Sequence, residues 1–181
     1  MVEMTDRIPE PSWLKKESVY ELAEDVARQL DYRPGTDLRP IVEKLGGRLE
    51  YKDFWRDPSD SGSMDVWGES NFCIYLSTDT SEIRDRFTIA HELGHYVVHF
   101  LWPRHHKGRD IEAMTAGRYG SDRIEWEANW FAAAFLMPEK EFRAKMDEFG
   151  GDLISVADYF AVSVSAAEVR AKALNLGHER I

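Results

Sequence analysis

Two histidines four residues apart, His91 and His95, stand with Glu92 between them inside a run whose apolar residues Phe87, Ala90, Leu93, Gly94, Val97, Val98 and Leu101 recur at helical spacing. On an α-helix, residues four apart project from one face about 6 Å apart, so two imidazoles can grip one Zn²⁺ through neutral ring nitrogens. Glu92 then lies beside the ion rather than on it, placed to take a proton from water that the metal has acidified toward a pKa of ~7. The bare pattern also arises in ordinary helices, where both histidines are polar surface. Its meaning depends on what the rest of the chain supplies.

Catalytic zinc takes three protein donors and leaves a fourth position open, so a third partner is needed. The downstream candidates are Glu112, Asp122, Glu125, Glu127, His105 and His106. Glu125 is favoured, because it begins a strongly apolar helix and lies four residues before Asn129, one turn along the same face. From there Asn129 can accept a hydrogen bond from the distal nitrogen of a ligating histidine and fix its tautomer. Glu127 points about 160° away on that helix and would require a different docking. His99 extends the row of His91 and His95, but three donors on one straight helix cannot surround a tetrahedral ion, so it is expected to pack behind them. His105 and His106 lie beside Arg104, Lys107 and Arg109 and read as a solvated basic patch or a substrate contact.

The remaining pattern predicts an α+β fold, mostly helical, with a small three-stranded antiparallel sheet. Val19, Leu22, Ala23, Val26, Ala27 and Leu30 mark an amphipathic helix from Lys16 to Leu30, ended by Pro34-Gly35. Thr36 or Asp37 caps a second helix with Leu38, Ile41, Val42 and Leu45 inward. Strands are expected over Arg48 to Trp55, Met64 to Trp67 and Phe72 to Leu76, with turn chemistry over Asp57 to Ser63. Asp79, with Glu82 completing a capping box, opens the long histidine-bearing helix, and Pro103 is its expected stop. Residues 102–120 read as a polar loop, with a short helical turn allowed over Asp110 to Ala116.

Ser121 or Asp122 caps a helix reaching Leu136, apolar nearly all round and therefore expected to be buried. Glu139 to Phe149 forms one more helix, and Leu153 to Leu176 two short ones parted near Val162-Ser163. The expected division is a loosely held arm over residues 1–15, a main domain over 16–149, and a C-terminal helical, helix-turn-helix-like piece over 150–181 packed on it. That last piece offers only Arg170 and Lys172 as obvious cations, which favours packing or partner docking over contact with nucleic acid.

A chain of 181 residues with 43% hydrophobic side chains can bury one substantial core. Cys73 is the only cysteine, so no internal disulfide forms, and the flanking Asn-Phe-Cys-Ile-Tyr-Leu reads as a buried strand. A reducing cytoplasm fits, as does the absence of a charged start followed by an apolar core and of any run long enough to span a membrane. The formal charge of −10 disfavours binding to a phosphate backbone, and a neutral or basic protein is the easier partner.

The segment Arg86 to His99, followed by Glu125-Trp-Glu-Ala-Asn129-Trp-Phe-Ala-Ala-Ala-Phe-Leu-Met-Pro138, resembles the ImmA/IrrE family of metallo-endopeptidases. The likeness extends from about Val19 to Val156-Ala-Asp-Tyr-Phe-Ala-Val-Ser163, Arg170 and Leu174-Asn-Leu-Gly177. It implies a zincin-like, gluzincin-type fold, zinc ligands at His91, His95 and Glu125, and a catalytic carboxylate at Glu92. Glu127 falls where family members carry Glu or Gln. The implied activity is limited cleavage of a transcriptional repressor of the helix-turn-helix type. Some members carry an N-terminal helix-turn-helix, which is not expected here before Lys16. Mn²⁺ or Fe²⁺ also suits two histidines and a carboxylate. The expected substrate pose is an extended peptide against Met64 to Trp67 or Phe72 to Leu76, the former preferred. Tyr96, Tyr119, His105 and His106 are candidate oxyanion or substrate contacts. The competing reading is a regulator that holds metal but only sequesters a repressor or antitoxin.

Overall fold

A four-stranded mixed sheet with helices packed on it frames the histidine run. The computed structural model describes residues 8–53, 62–117 and 122–176. The elements are α1 (Lys16–Gln29), α2 (Arg39–Lys44), β1 (Gly47–Lys52), β2 (Gly62–Gly68), β3 (Asn71–Ser77), α3 (Glu82–Gly94), a π-helical segment (His95–Leu101), α4 (Trp102–Lys107), β4 (Met114–Gly117), α5 (Asp122–Leu136), α6 (Glu139–Glu148), α7 (Leu153–Phe160) and α8 (Val164–Ala173).

The sheet corrects the three-stranded antiparallel expectation. Its order is β1-β3-β2-β4, with β1 parallel to β3 and the other pairs antiparallel. β2 and β3 form a tight hairpin, but the connection from β1 to β2 is too long to force adjacent pairing, so β1 docks on the far side of β3. β4 stands within the loop expected over residues 102–120; at four residues it is too short to show alternation. The turn residues expected over Asp57 to Ser61 lie outside the described residues, while Gly62 and Ser63 belong to β2.

Register explains the core. Ile74 faces Met64 and Leu49, Phe72 faces Val66, and Met114 and Ala116 continue the same apolar face. On the other face the Tyr75 hydroxyl donates to Asp65 Oδ2 at 3.0 Å and the Thr115 hydroxyl to Asp65 Oδ1 at 2.8 Å. Cys73 is fully buried on β3, as the sequence suggested.

Helix limits depart from expectation where local signals competed. Ser81, not Asp79, caps α3, its hydroxyl accepting the Arg84 N–H at 3.3 Å. Leu38 takes the cap position of α2, and Asp37 instead accepts the Arg39 N–H at 3.0 Å. Pro103 does not end the histidine helix. The chain widens into the π-helical segment and resumes as α4, where Pro103 occupies the first turn, a position whose missing N–H is tolerated.

α5 crosses α3 closely enough that a Cβ on Gly94 would lie 2.9 Å from the Ala128 carbonyl oxygen and 3.1 Å from Phe131 Cβ. This crossing brings Glu125 over the two histidines. α5 is not buried all round: Ile124, Ala128, Phe131 and Phe135 face the core, while Trp126 is 53% exposed. Two buried arginines fasten the periphery. Arg86 Nε donates to the Ala161 carbonyl at 3.1 Å, and its guanidinium also reaches the Tyr32 hydroxyl and the Thr36 carbonyl. Arg170 on α8 donates to the Met137 carbonyl at 3.0 Å and pairs with Glu24 at 3.1 Å. No described helix is long and apolar enough to cross a membrane.

Candidate metal centre

His91 ends α3 one turn before His95, which opens the π-helical segment, and their Nε2 atoms approach to 3.1 Å. Glu125, in the first turn of α5, places its carboxylate oxygens 3.2 Å from His91 Nε2 and 3.5 Å from His95 Nε2. Each of the three residues offers a donor atom, and these atoms all lie within 4.8 Å of one another. Among the described residues this is the one cluster of at least three His, Cys, Asp or Glu donors so arranged.

The histidines are set for ligation by what lies behind them. The Asn129 Oδ1 sits 2.9 Å from His91 Nδ1, so a proton on Nδ1 satisfies the amide oxygen and leaves Nε2 with its lone pair. His95 Nδ1 lies 3.1 Å from His99 Nδ1, and His99 Nε2 lies 3.0 Å from Glu127 Oε2. Burial, together with the neighbouring His91 and His99 rings, pushes the His95 pKa well below its usual value, so it is neutral. Burial also opposes charging of His91, but the Glu125 hydrogen bond and the Glu92 and Glu125 charges outweigh it and raise that pKa. A field that favours a proton there favours a cation too. Glu125 Oε1 is buried without a hydrogen-bond partner among the described residues, as expected of an oxygen whose natural partner is an ion. The donor set therefore fits a divalent cation with nitrogen and oxygen preference.

Glu92 is only 3% exposed and, with His91, His95 and Glu125, lines a cleft of about 900 Å³. Ser63, Leu76, Ser77 and Gly117 form its sheet side, and Arg84 and Thr88 extend it along α3. The strand expectation needs correcting here. β2 and β3 are both interior, and among the described residues the sheet ends at β1 and β4, of which β4 reaches the cleft through Gly117.

Other candidates are elsewhere. The Tyr96 hydroxyl accepts the Ser70 N–H at 3.0 Å and its ring packs on Phe72, away from the cleft. His105 on α4 pairs with Glu69 at 2.9 Å, and His106 Nδ1 lies 3.2 Å from the Trp102 carbonyl, so neither joins the centre. Tyr119 lies outside the described residues.

Glu127 has a place that the sequence did not mark. Its carboxylate is completely buried, accepts the Ser12 N–H at 2.8 Å, the Trp13 N–H at 3.1 Å and the Arg123 Nε–H at 2.8 Å, and faces His99. Burial raises its pKa, but the bonds from His99, Ser12 and Arg123 more than reverse this and hold it at about 2. The spacing of Arg123 four residues before Glu127 was a usable signal. The backbone amides of Ser12 and Trp13 were not.

A family model described as the IrrE N-terminal-like domain, of peptidase family M78, matches residues 43–172. The radiation response metalloprotease IrrE of Deinococcus radiodurans is 32% identical over 139 residues, which cover 74% of this chain and 39% of that protein. A Mycobacterium tuberculosis transcriptional regulator of known structure superposes with a TM-score of 0.60 at 17% identity, over 86% of this chain and 46% of its own, a likeness of fold alone. The chain thus spans less than half the length of either relative.

Proposed function

The chain belongs to the M78 peptidase family, in its IrrE N-terminal-like group, a family of metalloproteases, and from that premise we propose that it is a zinc-dependent endopeptidase that cleaves a partner protein, a helix-turn-helix repressor. The observation that carries this reading is the convergence of His91 Nε2, His95 Nε2 and the Glu125 carboxylate on the floor of an open cleft, with Glu92 beside them.

His91, His95 and Glu125 would hold the ion, which when bound supplies a Lewis acid for the scissile carbonyl and lowers the pKa of water at its open position. Glu92 takes the proton from the attacking water and delivers it to the departing amine. Glu92 is only 3% exposed and lines the cleft beside the two histidines. Asn129 and His99 orient the two imidazoles from behind. The substrate lies extended against β4, the sheet end nearest the cleft, where main-chain hydrogen bonds can hold any sequence and pockets choose among side chains.

The test is cleavage of repressors encoded by neighbouring genes, using purified chain with Zn²⁺ and with a chelator. Glu92→Gln is expected to lose cleavage by at least about 100-fold, the scale of a general base, while its metal content and partner binding persist. Equal cleavage by that variant would remove the peptidase mechanism and favour sequestration. Glu125→Ala is expected to lose zinc, and full occupancy in that variant would move the third donor elsewhere.

A further inference from the structure

The buried chain behind His95 leads out of the metal centre to a segment that precedes α1. Ser12 and Trp13 turn their consecutive N–H groups onto the two oxygens of Glu127, at 2.8 and 3.1 Å. Trp13 adopts φ +61°, a left-handed conformation uncommon for a bulky residue, and consecutive amides in such a bend form a concavity suited to an anion. Lys107 of α4 donates to the Ser12 carbonyl at 3.1 Å, so the same peptide is held from two sides. Ser12 and Trp13 lie outside residues 43–172, the part matched by the family model, whereas their partners Glu127 and Lys107 lie within it.

The hydrogen bonds have a fixed direction. Glu127 is an acceptor for Ser12, Trp13 and Arg123, so His99 must donate to it from Nε2. With its single ring proton on Nε2, His99 offers Nδ1 as an acceptor 3.1 Å from His95 Nδ1, which donates to it. That leaves His95 Nε2 unprotonated and facing His91 and Glu125. The protonation pattern needed for ligation is thus written from the N-terminal segment inward.

We propose that residues 9–15 act as a clamp on the metal centre, with Glu127 and His99 as positioning residues, so that docking of this segment and binding of a divalent ion each strengthen the other. The proposal rests on His91, His95 and Glu125 being the metal site. Linkage makes the effect reciprocal: whatever factor the docked segment adds to metal affinity, the metal adds to docking.

The test uses the full chain and zinc alone. Ser12→Pro with Trp13→Pro removes both N–H donors, and the second substitution also forbids the left-handed bend, without touching Glu127 or His99. Zinc affinity, measured by competition with a chromophoric chelator, is expected to fall about 10–100-fold, the range for loss of an outer partner of a ligand. The visible spectrum of the Co²⁺-loaded protein is expected to shift with it. Trp13→Gly keeps the N–H and permits the bend, so it should retain wild-type affinity and spectrum. In the unaltered protein, zinc should slow hydrogen exchange at the Ser12 and Trp13 amides, a readout that survives even if the double variant folds poorly. Equal affinity in wild type and the double variant, or exchange at those amides indifferent to zinc, overturns the clamp while leaving the metal site standing. Failure of the wild-type chain to bind zinc at all would remove the metal site itself, and the clamp with it.

Discussion

Asn129 and Cys73 show how a single side chain's surroundings set its chemistry. Asn129 holds His91 through one hydrogen bond at 2.9 Å from an exposed position on α5. Asn129→Leu keeps the approximate volume and removes the acceptor, so zinc affinity in a chelator competition is expected to drop about 10–100-fold, with Asn129→Asp restoring most of it. Cys73 is fully buried on β3, on the face it shares with Tyr75. Burial, then the charge of Glu50, pushes its thiol from 9.0 up to about 11. At pH 8 it therefore carries about 100-fold less thiolate than a free cysteine, and a thiol reagent should label it only after denaturation. The sign for stability follows from the raised value. The fold favours the neutral thiol, so this contribution is complete below pH 9, erodes as unfolded chains ionise, and is lost as the pH rises through 11. A Cys73→Ala comparison across pH 8 to 11 in a urea titration checks this, the wild type losing more stability than the variant. That Asn129 supports one of the paired histidines was legible because Glu125 and Asn129 stand one helical turn apart, but which histidine it meets was not. The setting of Glu127 was not, because two of its partners are main-chain amides more than a hundred residues away and carry no side-chain signature.

The crossing of α3 and α5 sets the position of the third donor relative to the other two. Gly94 lies at the point of contact, with the Ala128 backbone 2.9 to 3.0 Å from where a Cβ would be. Gly94→Ala meets backbone rather than a yielding side chain, so the helices must part. We expect a loss of about 1–3 kcal/mol in urea unfolding and weaker zinc binding, because Glu125 moves with α5. Unchanged zinc affinity in that variant would mean that the donors adapt independently of the crossing. Periodicity marked both helices, since each has a long run of apolar residues on the buried side. It failed at the sheet and beyond Pro103. Parallel pairing of β1 with β3 is decided by where a long connection lets the strand dock, and β4 is too short for its alternation to stand out. Proline reads as a stop because an α-helix interior needs its N–H; a π-helical stretch just before it changes which donors are required, and local composition does not announce that change.

For the whole molecule, the proposed ligands tie the continuous stretch formed by the end of α3 and the π-helical segment to the start of α5, beyond α4 and β4 in the chain. The chain has one cysteine and so no internal disulfide to do this. The fold holds two imidazoles with their Nε2 atoms 3.1 Å apart against a carboxylate with a buried oxygen that has no hydrogen-bond partner among the described residues. An ion bound among them would satisfy all three donors. An ion that binds only the folded chain must then stabilise the whole molecule by mass action, about 2.7 kcal/mol at a free concentration of 100 times Kd. For a chain of this size that corresponds to a rise of about 5–10 °C in Tm, reversed by a chelator. Glu92→Gln should keep the full rise, because its carboxylate is not proposed to touch the ion, whereas Glu125→Ala should lose most of it. Thermal scans of these three proteins with and without zinc separate holding the metal from using it. A wild-type Tm indifferent to zinc would contradict a site assembled from two separate stretches of backbone, since no ion can bridge them without resisting their separation.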